Sequence, residues 1–236
     1  MKQIETATGV ASIWKRTAQI GIIFFTLLMF FCGPPRPDTP PGLESDQPEV
    51  PPYEELAPRL KSENWSTRSE TLLEIERGDY RQAIPEMLRL LRSDPHPAVR
   101  QTAALILGSF KVQEAAPIIA RMLASDKEVS PDYLMEALAR LEATGSAGAV
   151  VPYLNSPNDA LRLTAVDTLE RLNATAQGPR ILSMAQGNND SEKARTYAMA
   201  LGKLKVRGAE TYLIQLAGRS EPGPTLAASY LALGRI

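Results

Sequence analysis

Histidine and cysteine are almost missing from this 236-residue chain, which has one of each, His96 and Cys32. A single thiol allows no intramolecular disulfide. One imidazole without a neighbouring His-Glu pair cannot build the histidine- or thiolate-rich clusters that hold zinc or iron. A Ser-His-Asp relay would have to use His96, which sits between Pro95 and Pro97, so it reads as an exposed turn residue. Aromatics are scarce at 6% while alanine and leucine abound, which favours helix over strand. Net charge is -1, and acidic and basic residues are equal in number from residue 51 onward. Such a balance gives no broad attraction to nucleic acid. Neither G-x-x-x-x-G-K-[ST] nor G-x-G-x-x-G occurs, so no phosphate-cradling loop is signalled. Catalytic, cofactor-binding and metal-ligating residues are all expected to be none.

Only one long apolar run exists, "IGIIFFTLLMFFC", Ile20 to Cys32. As a helix its thirteen residues would span about 20 Å, against a hydrocarbon core of about 30 Å. That length suits a signal-peptide apolar region or a short anchor. Lys2, Lys15 and Arg16 precede it, whereas Asp38, Glu44, Asp46 and Glu49 follow, so the remainder is directed outward across a membrane. Cys32, closing the run before Gly33, resembles the lipidated cysteine of a bacterial lipoprotein signal. It departs from that pattern by having Phe30 and Phe31 where small residues usually stand. An uncleaved hydrophobic helix is the alternative. Both readings make residues 1–33 a signal peptide or anchor and place the rest in the periplasm or at the cell exterior. Eight of the nineteen prolines then lie between Pro34 and Pro52, so residues 34–53 read as a disordered, flexible linker.

From residue 54 to 236 the chain repeats. With Arg100 as anchor, Ala103, Leu107 and Phe110 follow at three, seven and ten residues, and Pro117 at seventeen. The same frame fits Arg68, with Pro85, and Arg162, with Pro179. It also fits Leu134, where Pro152 falls one residue late, Ala194, with Gly202, and Leu226, with Gly234. Anchors are spaced by 32, 34, 28, 32 and 32 residues. Turn or cap residues Ser62, Asp94, Ser156, Asn188 and Ser220 stand six residues before most anchors. The third unit, with Asp126 eight residues before its anchor and Pro131 beyond, carries a two-residue insertion. Apolar spacing of this kind marks one buried stripe per helix. The proline at offset seventeen suits the first turn of a second helix, where its missing donor costs nothing. Each unit reads as helix, short loop, helix, and only stacking buries its stripes.

The stretch "DPHPAVRQTAALILG…AAPIIARMLASD" resembles a HEAT-like repeat of the short bacterial type named after phycobilisome lyases. It is carried by Asp94, Pro97, Val99, Arg100, Ala103, Ala104, Leu107, Gly108, Pro117 and Leu123. The resemblance implies an all-α, right-handed α-solenoid of five to six antiparallel helix pairs with an armadillo-type fold. Its second helices would line a concave face, and its members mostly bind proteins. The expectation is a membrane-tethered scaffold for a protein partner, not an enzyme. Two other classes stay open: a non-hydrolytic enzyme or lyase-type subunit on the same repeats, and a structural envelope spacer.

Glu54-Glu55 and Glu74-x-Glu76 fall in different directions on a helix and read as solvated faces. The basic cluster Lys193, Arg195, Lys203, Lys205 and Arg207 is interleaved with Asp190, Glu192 and Glu210, so it reads as locally paired rather than as a nucleic-acid site. Tyr80, Met87, Met122, Tyr133, Tyr153, Met184, Tyr197 and Tyr212 read as inter-repeat core. The final "LAASYLALGRI" reads as a first helix without its mate, a terminal cap or a route to self-association.

Overall fold

The computed structural model describes residues 50–236. Cys32, the apolar run and the proline-rich segment up to residue 49 lie outside the described residues. Twelve α-helices occur among the described residues, with no strand. Six occupy the first-helix positions: α2 (Trp65–Arg77), α4 (Pro97–Ser109), α6 (Pro131–Leu141), α8 (Asp159–Arg171), α10 (Ser191–Lys203) and α12 (Pro224–Leu233). The others are α1 (Tyr53–Arg59), α3 (Ile84–Ser93), α5 (Ala116–Ser125), α7 (Ala147–Val150), α9 (Gly178–Gln186) and α11 (Glu210–Arg219). A 3₁₀ turn, Val151–Asn155, continues α7.

Local chemistry sets the helix ends. Side chains of Asn64, His96, Asn158 and Asp190 accept backbone N–H groups at the starts of α2, α4, α8 and α10. These caps stand four residues before the anchors. Two residues further back, Asp94, Ser156 and Asn188 accept the N–H of His96, Asn158 and Asp190, which makes them turn residues rather than caps. The insertion expected in the third unit is visible as a turn of five residues, Asp126–Ser130, where α3 and α4 are joined by three. Asp126 Oδ1 organises it by accepting the N–H of Glu128 and Val129.

The first helices from α2 to α10 end on a left-handed residue that is never glycine: Asp79, Lys111, Glu142, Asn173 or Lys205. The next N–H returns to a carbonyl five residues earlier, for example Val112 to Leu107 and Val206 to Leu201. Pro85, Pro117 and Pro179 occupy the first turns of α3, α5 and α9, as their offset predicts. Pro152 comes too late for that role. Lacking an N–H, it cannot satisfy the Gly148 carbonyl, and the helix tightens to 3₁₀ there. Arg180 Nη1 fills the vacancy, donating to Gly148 O at 3.2 Å.

The packing phases the repeat differently from the sequence frame. Each first helix packs against the helix directly before it and against the adjacent first helices. The pairs are therefore α1·α2, α3·α4, α5·α6, α7·α8, α9·α10 and α11·α12. The final helix has its mate in α11 and also packs on α10, where a mateless helix was expected. One apolar core runs from Leu56 to Ala232 and includes the expected stripe residues Ala103, Leu107, Ala165, Leu169, Ala198 and Leu201. The result is an all-α solenoid of six sequential pairs.

Candidate functional surface

The repeat-defining arginines span neighbouring pairs. Arg68 is buried and meets buried Asp94, 26 residues on, with two parallel bonds of 2.7 Å. Its third nitrogen donates to the carbonyls of Ser62 and Glu63 at 2.8 and 3.1 Å. The guanidinium thus ties the turn before its own helix to the turn of the next pair. Its planar fork suits this task, and a lysine could not make all four bonds. Arg100 repeats the arrangement, reaching Asp126, also 26 residues on, and the carbonyls of Asp94 and Pro95. It also takes Glu128 at 2.8 Å. Burial pushes the Asp126 carboxyl upward, but the Glu128 and Val129 amides and Arg100 outweigh it and hold it below the usual carboxylate range.

In the fourth unit the aspartate is replaced by Asn188. Arg162 keeps its turn carbonyls, Ser156 and Pro157, but turns to Thr196 Oγ1 at 3.3 Å and Asp159 at 2.8 Å. Leu134 and Ala194 take the arginine's place in the third and fifth units and are buried.

Gly108 and Gly202 explain their frame by contact. A Cβ on Gly108 would stand 3.0 Å from the Ala137 carbonyl oxygen, and one on Gly202 only 2.5 Å from Ala232 Cα. Both let successive first helices approach. Gly234 holds the same place in the frame but caps the end of α12, where a Cβ would meet only that helix's own carbonyls, and it is exposed. Pro85, Pro117 and Pro179 are exposed and act through backbone geometry alone.

His96 is half-buried rather than exposed. Its Nδ1 accepts the Ala98 N–H, and its ring stacks on Trp65 at 4.0 Å, a contact the sequence did not announce. The basic cluster is largely paired: Arg195 with Asp159 and Glu192, Lys203 with Asp167 and Glu170. Lys205 and Arg207 are exposed. On the same layer Glu136 bridges Arg140 and Arg171. Burial raises the Glu136 carboxyl, but the two guanidinium groups prevail and lower it. Among the expected core aromatics and methionines, Met87, Met122, Tyr197 and Tyr212 are buried, and Tyr80, Tyr153 and Met184 are half-buried. Tyr133 is exposed at the start of α6. Among the described residues no group of three metal-ligating side chains comes together, and no helix is long and apolar enough to cross a membrane.

Comparison with known proteins agrees with this geometry. The family model of HEAT repeats matches residues 53–130. An engineered protein of solved structure is similar in fold, with a TM-score of 0.51 and 16% identity over 77% of this chain and 97% of that one. The complex of CpcE and CpcF of phycocyanin lyase from Nostoc sp. PCC7120 is a distant likeness. Its TM-score is 0.39, with 16% identity over 85% of this chain and all of that one. No curated protein matches the sequence. The family match thus covers about a third of the chain, and the later helix pairs repeat the same packing of each first helix on the helix before it.

Proposed function

We propose that this protein is a membrane-tethered scaffold of the cell envelope that binds another protein and carries out no reaction itself. The observation that carries the reading is where the polar side chains go. Asp94, Asp126, Glu136 and Asp159 are engaged by arginines of neighbouring units, and His96 caps a helix. Side chains committed to holding repeats together are not poised for acid-base work. What remains is an extended outer surface of helices, the kind of surface HEAT repeats use to bind proteins. The uncharged run ending at Cys32, basic before and acidic after, supports the tether and the outward orientation.

Affinity capture of the full chain from membranes of its native host tests this. A stoichiometric protein partner is expected, whereas a co-purifying cofactor or metal without one would contradict the reading. Detergent partitioning of wild type and Cys32→Ala tests the anchor. Altered partitioning or mobility in the variant supports lipidation, and unchanged behaviour assigns the tether to an uncleaved helix. Tyr230 and Leu231 on α12, 62% and 66% exposed, support self-association through that helix. Light scattering showing only monomer at high concentration would count against it.

A further inference from the structure

The two helix layers differ in charge. The first helices carry nine basic and nine acidic residues. The helices paired with them, α1, α3, α5, α7 with its 3₁₀ extension, α9 and α11, carry six arginines against four glutamates, and beyond α1 the balance is five against two. The two glutamates beyond α1 are occupied: Glu86 by Arg89 in a two-bond pair, Glu210 by the Gly208 N–H. Arg92, Arg121 and Arg219 are exposed and join none of the ion pairs among the described residues.

Arg92, Arg121 and Lys127 line one cleft of about 660 Å³ where α3 and α5 end. Asp94, Asp126 and Glu128 line it too, but Asp94 is held by Arg68 and the other two by Arg100. A ligand therefore meets three cations without counter-ions. The neighbouring cleft between α5 and α7, about 560 Å³, is lined by Leu123, Ala124, Ala149, Pro152 and Tyr153. The Tyr153 hydroxyl is already spent on the Leu123 carbonyl at 2.6 Å. A cationic site thus abuts an apolar one across a single helix. Helix axes lie roughly 10 Å apart, so about three extended residues at ~3.3 Å each reach from one cleft to the next.

We propose that these two clefts form one docking groove for an acidic segment of a partner protein. Its carboxylates pair with Arg92 and Arg121, and an apolar side chain about three residues away fills the α5–α7 cleft. This rests on the scaffold reading and gives it a face and a partner chemistry. Guanidinium forks match carboxylates in pairs. A phosphate backbone would require a longer track of cations and would make no use of the apolar neighbour.

The test is fluorescence anisotropy of the full chain with a labelled peptide containing two Glu-Glu-Ser-Leu repeats. A peptide with lysine in place of glutamate serves as control. Wild type is expected to bind the acidic peptide and not the basic one. Arg92→Ala/Arg121→Ala and, separately, Ala149→Glu are each expected to weaken binding at least tenfold with unchanged helical circular dichroism. Lys205→Ala/Arg207→Ala should stay within twofold. No binding by wild type would overturn the proposal. So would equal binding by the Arg92/Arg121 variant, or an equal loss in the Lys205/Arg207 variant. Arg92/Arg121-dependent retention on phosphatidylglycerol vesicles without peptide binding would also overturn it. A captured protein partner that still binds the Arg92/Arg121 variant would leave the scaffold reading intact and end this one.

Discussion

The first two repeats and those that follow achieve the same stacking by different means. In the first two, a buried or nearly buried arginine reaches an aspartate 26 residues on, in the turn of the next pair: Arg68 to Asp94, Arg100 to Asp126. From the third unit on, that register is gone, with Leu134, the Arg162–Asn188 combination and Ala194 in its place. Neighbouring first helices are instead tied along their outer ridge, by Glu136–Arg171, Asp159–Arg195 and Lys203 with Asp167 and Glu170. They also close on Gly202, where α10 and α12 approach within the space a methyl group would need. The stretch matching the HEAT family ends at residue 130, four residues before the first anchor that lacks its arginine. Family likeness here follows the arginine–aspartate clamp, while the fold itself needs only helices of the right length with apolar stripes.

The sharpest way to break this comparison is to cut a clamp. Asp94→Ala leaves Arg68 buried without its counter-ion, and urea denaturation should show a loss of about 3–5 kcal/mol. Asp126→Ala should lose less, about 1–2 kcal/mol, because Arg100 keeps Glu128 and two carbonyls. Equal losses would erase the distinction between the two clamps. Next in size, Gly202→Ala forces α10 and α12 apart and should cost about 1–3 kcal/mol. Gly234→Ala, in the same frame but with its Cβ at ordinary contact distance from its own helix's carbonyls, should change the unfolding free energy by less than about 0.5 kcal/mol.

Acid probes both halves together. Asp126 and Glu136 are held below their ordinary values in the fold, so each binds protons more readily when unfolded. Their stabilisation is complete above the unfolded carboxylate range, about 4, and is lost as pH falls through the folded values. Melting temperature should therefore fall between about pH 5 and pH 2. Asp126→Asn, less stable at neutral pH, should lose less over that interval. The smallest effect is expected at the left-handed helix ends. Lys205→Gly should stabilise by less than about 1 kcal/mol, and Asn173→Gly by less still, since asparagine tolerates that conformation better.

The period, the apolar stripes and the first-turn prolines were legible because they follow from spacing along one chain. The third unit's insertion was legible too, since an extra pair of residues before Pro131 can only lengthen a turn. Which helix pairs with which was not. The anchor frame groups a helix with the one after it, but the three-residue turn Asp94–His96 brings α3 onto α4 more closely than the 3₁₀ link brings α2 onto α3. Whether the residues six before the anchors turn the chain or cap the helix stayed open, because an aspartate that organises a turn looks the same in sequence as one that caps a helix. The left-handed ends went unread because four of the five residues there are Asp, Lys or Glu rather than glycine or asparagine. The excess of arginine on the second helices from α3 onward was hidden by a net charge near zero, and it emerges only once each helix is assigned to a layer.

Hydrogen exchange of backbone amides along residues 50–236 tests the central claim most directly. If nearest neighbours alone hold the pairs together, Asp94→Ala should speed exchange in α2 to α4 and leave α8 and α10 protected as in wild type. Uniform loss of protection along all six pairs, or a wild-type chain unprotected from residue 131 onward, would contradict a single stack built by two different clamps.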